Sequence, residues 1–498
     1  MELKLEKKSS LAILIVFLLT AILLSIFACS ELNLASGHST APLPEAQSHY
    51  GSSRDIINIP SVKTLSNSSL WPKRTLKVFP GAEGFGTETP AGRGGKIVKV
   101  TNLKDNGRGS LRRAINTKGP KIIVFEVAGT IELESNIIIS HPYCTIAGQT
   151  APPPGITIKN YGIKISAHDI LIQHLRIRPG DQGKTRDGRW DNLDALQLNS
   201  GAGNVVIDHV SASWAADENV STWTGGMNNV TFSNCIISEG LHNSIHTEQP
   251  HSKGLLIGPN SGNVSIISNL MAHNFDRVPQ IQGGNNVVAV NNLIYEGGAY
   301  AFVDLTDPYK GGPIRANFQS NIFIDGPATS GKRIFALADN LHPKSLFFQQ
   351  NNIHINRSGT QVPVLIRDNT PGGIETTESP ISISGITVRD LAVLEDHVLA
   401  TAGARPGERG TPDADPVDER IVKQVKSRTG KQIDCVEGCD NSSPNGWPAP
   451  QVSKRAFPIP PYPHDDFDAD GYSNIEEVLH HMAETVEKSN KNVKWWRW

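Results

Sequence analysis

Three groups of side chains with chemistry to offer lie within about a hundred residues of one another. Asp187, Asp191 and Asp194 punctuate TRDGRWDNLDALQL. Asp208-His209 follow in VVIDHVSASW, with Asp217, Glu218 and Ser221 close behind. Lys253 in HSKGLLIG, two residues after His251, and Arg277 in AHNFDRVPQI complete the series, with Gln282 five residues further on. Carboxylates alternating with basic groups suit a calcium ion bridging an acidic substrate, because Ca²⁺ prefers hard oxygen ligands. Taken singly, each residue has a blander use. Lys253 alone reads as a solvated lysine, Arg277 as a partner of Asp276, and Asp217-Glu218 as surface charge contributing ~0–1 kcal/mol. Their joint order along the chain is what raises the chemical reading. A separate acidic run, DFDADGYSNIEE, places Asp466, Asp468, Asp470, Gly471 and Glu477 at the first, third, fifth, sixth and twelfth positions of a calcium loop. Tyr472 would supply its carbonyl there; the alternative is an acidic turn capping the helix that follows.

Such residues can meet only if the chain stacks its segments. From Thr75 the texture turns to short β-branched runs separated by Gly and Asn. Aligning the runs on an Asn or His before an apolar residue gives His174, His209, Asn234, Asn269, Asn292, Asn321 and Asn352, spaced 35, 25, 35, 23, 29 and 31 residues apart. One strand–turn–strand unit per ~20–35 residues without helical crossovers predicts a parallel solenoid. A β-sandwich would recur every ~8–12 residues with hairpin signals. The fold class read here is therefore all-β, a right-handed parallel β-helix with an N-terminal capping helix and a small C-terminal extension. Fourteen Asn fall in residues 201–300, and stacked amides can satisfy each other at a tight corner, a place His209 would share. Successive coils sit ~4.8 Å apart, so residues distant in sequence line one groove. Three helices are expected: a Ser-capped one at GSLRRAI (109–115), one over 416–427 with Asp415 as cap and Pro416 at its first position, and one over 474–487.

The 498 residues carry 47 Lys+Arg against 49 Asp+Glu. That balance excludes a nucleic-acid binder, which needs a cationic surplus. Residues 1–29 combine a basic start, an apolar run over 11–27 and Ala28-Cys29, the pattern of a secretory leader. Residues 30–75 read as a tether, 76–400 as the solenoid and 401–498 as an extension with the loop at 466–477. Cys144 and Cys235 lie in apolar strand patterns and read as buried thiols, whereas Cys435 and Cys439 flank a polar loop where a local disulfide is expected in an oxidising compartment. No heptad pattern argues for an oligomer, so a monomer is expected.

The motifs AGRGGKIVKVTNL, GSLRRAI, TIAGQTAP, LRIRPGD, NLDALQL, VVIDHVSASW, KGLLIG and RVPQI, in that order from residue 91 to residue 281, resemble secreted bacterial pectate lyases. The resemblance implies calcium-dependent cleavage of polygalacturonate, an acidic cell-wall polysaccharide, by β-elimination. It places Asp194, Asp217 and Ser221 at the calcium ligands, with Ser221 where many relatives carry Asp. Glu218 or Asp191 would compensate, although strand alternation points Glu218 to the other face. Lys253 falls at the substrate-binding lysine, with His251 beside it, and Arg277 at the arginine proposed as base. Gln282 stands where the family has a second arginine. Ile26-Phe27-Ala28-Cys29 is similar to a bacterial lipobox, implying lipidation of Cys29 and a secreted or cell-surface location. Two other readings compete: a calcium-independent lyase acting on esterified pectin, encouraged by Ser221 and Gln282, and a non-catalytic β-helix glycan-binding protein or adhesin.

Overall fold

The β-branched runs become strands of two to six residues, each too short to bury its inner face unaided. They stack into three long sheets of ten, nine and eleven strands among the described residues. Pairing is parallel throughout, apart from Gln361–Val362 on Ile353–Ile355 and Ser453–Lys454 on Val127–Glu132. Each coil contributes one strand to each sheet in turn, as in Gly203–Asp208, Ser211–Ser213 and Glu218–Thr222. This is a parallel β-helix. The computed structural model describes residues 76–488, except 183–192 and positions 224, 299, 332, 383 and 445. The leader, the tether, Cys29, Asp187 and Asp191 therefore lie outside the described residues. No helix among the described residues is long and apolar enough to cross a membrane.

The lumen is filled by stacked apolar side chains, mostly aliphatic, such as Ile146, Ile172, Ile207, Phe232 and Ile266, all 0–1% exposed. Toward the C-terminal coils the filling becomes aromatic, with Phe318, Phe335 and Phe347 in mutual contact. The helix Leu111–Ile115, capped by Ser110, buries Leu111, Ala114 and Ile115 over the first coil, which removes an exposed apolar end.

An amide ladder exists, in a different register from the sequence alignment. Asn269 donates to Asn292 at 3.0 Å, Asn292 to Asn321 at 2.9 Å, and Asn321 to Asn352 at 2.9 Å. The second N–H of each reaches a strand-end carbonyl, as in Asn269 to Phe232 at 3.0 Å. The ladder position in earlier coils is held by Val210 and Cys235, because Ser211 pairs with Ile236 and Ile236 with Leu270. His174, His209 and Asn234 stand one residue earlier, at left-handed corners with φ of 54°, 50° and 51°. His209 stacks on His174 at 5.0 Å and holds Asp208 at 2.8 Å.

The stacked strands end at Ile366–Asp368, short of residue 400, and a further helix spans Leu391–Thr401 with Asp390 as cap. The expected helices follow at Pro416–Ser427 and Asn474–Glu487. Leu394, Val398, Val417, Ile421 and Val425 pack against Ile236, Leu270, Leu293 and Ile322 of the third sheet. Two buried carboxylates fix this seam, because Arg178 donates to Asp415 at 3.0 and 2.8 Å and to Asp418 at 2.7 Å. Cys435 and Cys439 are joined by a disulfide, and Cys144 and Cys235 are free and buried.

Candidate active site

Parallel register sets the site. Along the second sheet, Lys164, Gln197, Ser221, Leu256, Gln280 and Asp304 occupy one position on successive strands. Five inter-strand steps of ~4.8 Å make this row roughly 24 Å long, a length suited to a polymer rather than a small molecule. A cavity of about 260 Å³ opens on it, lined among others by Gln197, Asp217, Glu218, Ser221, His251, Arg277 and Gln282.

Asp194 sits just before the strand Leu196–Leu198 and is 2% exposed. Gly162 on the preceding coil makes this fit possible, since a Cβ there would lie 2.0 Å from the Asp194 carbonyl oxygen. The Ser221 hydroxyl donates to Asp194 Oδ2, and the Glu218 N–H lies 3.4 Å from Oδ1. Carboxylate oxygens of Asp194, Asp217 and Glu218 all lie within 4.8 Å of one another. Burial, reinforced by the charge of Asp217, pushes the Asp194 carboxyl up to about 8, against the opposing pull of Ser221, Lys164 and Arg277. Three carboxylates this close resist ionising together unless a cation joins them. An all-oxygen donor set with a hydroxyl beside it fits Ca²⁺.

Glu218 faces this cluster, contrary to the alternation expected from its strand. The reason lies at Asn219. Register is unbroken from Glu218–Lys253 to Val220–Leu255, but alternation is not, since Val220 lies in the core and so does its neighbour Asn219. Its amide is engaged by the Ala215 N–H at 3.1 Å, the Ser238 carbonyl at 3.0 Å and Asn274 at 3.0 Å. That break lets Glu218 and Ser221, three residues apart, line one cavity.

The two cations part company. Arg277 enters the cavity from a left-handed backbone position, φ 56°, and its Nη1 donates to Glu218. Burial lowers its pKa from the ordinary arginine value, while Asp217 and Asp194 oppose the shift. Its Nε is buried without a hydrogen-bond partner among the described residues. Lys253 lies in register with Glu218, yet its ammonium turns to Asp276 at 2.8 Å and is absent from the cavity lining. Next to it Asp304 is raised to about 7 by burial and by Asp276. His251 Nε2 meets Asp217 Oδ1 at 2.8 Å, and Gln282 lines the wall. Asp208 and His209 are outside the cavity. Asp208 accepts from Gln173, Ser233, Asn234 and His209 at 2.8–3.0 Å, and is held well below the usual carboxylate range chiefly by His209 against the cost of burial. Their work is structural.

Sequence reasoning missed Trp223, His246, Glu248 and Tyr309 in the wall. Trp223 and Tyr309 meet edge-on at 5.7 Å from segments 86 residues apart, which no local pattern shows. His246 had a signal, since His242, His246 and His251 crowd one short loop. At the far end of the chain, Asp466, Asp468 and Asp470 converge within 4.8 Å on the exposed surface. Glu477 is pushed up by burial and then by Asp468, Asp470 and Asp466, so it faces all three. Gly471, with φ 103°, makes the turn at the sixth position, while the Tyr472 ring packs on His480 at 4.8 Å.

No protein-family model matches the chain. It is 34% identical over 365 residues to the probable pectate lyase C of Aspergillus terreus, covering 71% of this chain and 78% of that protein. It is 33% identical over 423 residues to the probable pectate lyase C of Aspergillus flavus, covering 80% and 93%. The crystal structure of Jun a 1, the major allergen from cedar pollen, aligns with a TM-score of 0.50 over 64% of this chain and 91% of that one. At 19% identity that likeness concerns the fold alone, and it agrees with the β-helix seen here. The two pectate lyase relatives are fungal, whereas the lipobox pattern is bacterial. A third of residues shared across four-fifths of the molecule leaves one assignment: the chain belongs to the pectate lyase family and is a polysaccharide lyase.

Proposed function

We propose that this lyase cleaves polygalacturonate by β-elimination, with Ca²⁺ held by Asp194, Asp217 and Glu218 and Arg277 as the base. The observation that carries the reading is one cavity lined by Asp217, Glu218 and the half-buried Arg277, with the buried carboxyl of Asp194 within 4.8 Å of the other two and raised by burial. Calcium, when bound, would neutralise the substrate carboxylate and so acidify the C5 proton beside it. Arg277 would take that proton at the terminal nitrogen that Glu218 does not occupy. The electron pair left behind forms the C4–C5 double bond as the C4–O bond breaks, and the leaving oxygen gains a proton as a new chain end. Burial favours the neutral guanidine that such a base requires. Lys253 would leave Asp276 for a substrate carboxylate, while Gln282 and His251 contact the neighbouring sugar. The leader supports export, to the medium or to the cell surface through a lipidated Cys29. Ultraviolet absorbance of unsaturated product from polygalacturonate should appear with Ca²⁺ and vanish with chelator. Chelator-resistant product from esterified pectin would instead select the calcium-independent reading, which the neutral Ser221 hydroxyl favours.

A further inference from the structure

The wall of the cavity carries, around Asp217, a second constellation of different chemistry. The loop before the strand Lys253–Ile257 brings His246 back over His251, with ring centroids 3.7 Å apart and planes 17° from parallel. Both rings aim Nε2 at the same oxygen, Asp217 Oδ1, at 3.8 Å for His246 and 2.8 Å for His251. One ligand atom from each of the three residues falls within a 4.8 Å sphere of the others. The His246 ring is held from behind, its Nδ1 lying 3.0 Å from the Glu248 carbonyl oxygen and 3.0 Å from the Glu248 N–H. With Nε2 bound to a metal, Nδ1 would carry the proton and donate it to that carbonyl, the Glu248 N–H giving up Nδ1 as its acceptor, which is the outer-shell arrangement that orients metal-bound histidine.

We propose that Asp217, His246 and His251 form a transition-metal site, with Zn²⁺ as its type ligand. Two imidazoles and one carboxylate suit zinc, copper, nickel or cobalt, and are a poor set for calcium, which takes oxygen. All three residues border the open cavity, so water or substrate can complete the coordination. Asp217 belongs to both this triad and the acidic one with Asp194 and Glu218. The two sites therefore sort cations by donor type while competing for one carboxylate. A transition-metal ion in the histidine site draws Asp217 away and sets a second divalent charge beside the first. It acts as a brake on the calcium-dependent reaction, and this part of the inference rests on the calcium reading above.

The test uses Co²⁺, whose visible absorption reports nitrogen ligation independently of activity. The protein should bind one equivalent with a visible band. The band should be lost in His246→Ala and in His251→Ala, with affinity falling by more than the ~10–100-fold that outer-shell changes cost. Glu487→Gln, which alters the separate group of His174, His209 and Glu487, should leave the band in place. Circular dichroism establishes folding; if the more buried His251 variant unfolds, His246→Ala decides alone. A band undiminished in His246→Ala, or no band in the parent protein, overturns the site. With Ca²⁺ limiting, Zn²⁺ should slow product release into the absorbance assay and excess Ca²⁺ should restore it. Inhibition that calcium does not relieve overturns the shared carboxylate. A lyase indifferent to chelator whose Co²⁺ band still follows the histidines would remove the calcium reading and leave this site standing.

Discussion

Arg277→Lys separates two accounts of how an arginine serves as base. On ordinary pKa values, at about pH 9, about 4% of a lysine but only ~0.03% of an arginine is deprotonated. If the population of neutral base alone set the rate, the substitution would raise turnover by up to about a hundredfold. The structure argues the other way. Glu218 already takes one terminal nitrogen of Arg277, and only a forked guanidinium keeps a second nitrogen for the substrate. A lysine nitrogen drawn to Glu218 leaves nothing to accept the proton. Loss of a general base costs about 10²–10⁴-fold, and kcat should fall by that factor. KM should change little, because the positive charge stays in the cavity. Initial rates of unsaturated product over a range of polygalacturonate concentrations give both constants. A kcat within about threefold of the parent would refute the fork argument, and an increase would favour the population account.

Ser221→Asp should tighten Ca²⁺ by about tenfold or more, since a charged oxygen replaces a hydroxyl beside Asp194; calorimetry showing equal or weaker binding would count against the acidic triad as the site. The Asp208–His209 pair should make stability depend on pH. Asp208, then Glu487, raise His209 to about 9, against burial and Arg409. A raised histidine stabilises fully below its unfolded value of ~6.5 and loses that contribution as pH climbs through about 9, an effect of about 3 kcal/mol. Melting temperatures of the parent should therefore fall between about pH 6.5 and 9.5, and Asp208→Asn should flatten that slope. Asp468→Ala should abolish the thermal stabilisation that excess Ca²⁺ gives through the 466–477 loop, worth ~2.7 kcal/mol at a hundred times Kd; an unchanged calcium-induced shift would remove that site. Mass spectrometry of the mature N-terminus should find acyl chains on Cys29, and an unmodified terminus would exclude the anchor.

Local chemistry made much of this architecture readable. Ser110, Asp415 with Pro416, and the apolar spacing of 474–487 announced their helices, and Asp390 before Leu391, Leu394 and Val398 carried the same kind of signal for the helix left unread. The coil period was visible because every coil repeats an apolar strand. The ladder register was not, because a polar residue before an apolar one describes both His209-Val210 and Asn269-Leu270. Only the left-handed backbone at His209 distinguishes them. The carboxylate cluster was largely legible, but the face of Glu218 depended on Asn219 turning inward beside Val220, where Ser238 and Asn274 on other coils hold its amide. The turn of Lys253 away from the cavity likewise depends on Asp276, met only after stacking.

The extension changes what kind of object the solenoid is. A plain stack of coils is a zipper, free to fray from either end, with each coil answering only to its neighbours. Here the strand Ser453–Lys454 pairs with Val127–Glu132 near the first coil, and Ile475, Leu479 and Met482 pack on Ile122, Val124 and Ala147. On the way back the chain has been pinned at Arg178 and at Glu239, which takes Arg420 at 2.6 Å. The segment from Ser453 to Glu487 thus fastens the start of the stack, as a clasp closes a bracelet. Fraying at the start of the stack must undo the end of the chain as well, and a linear array acquires the all-or-none cooperativity of a globular domain.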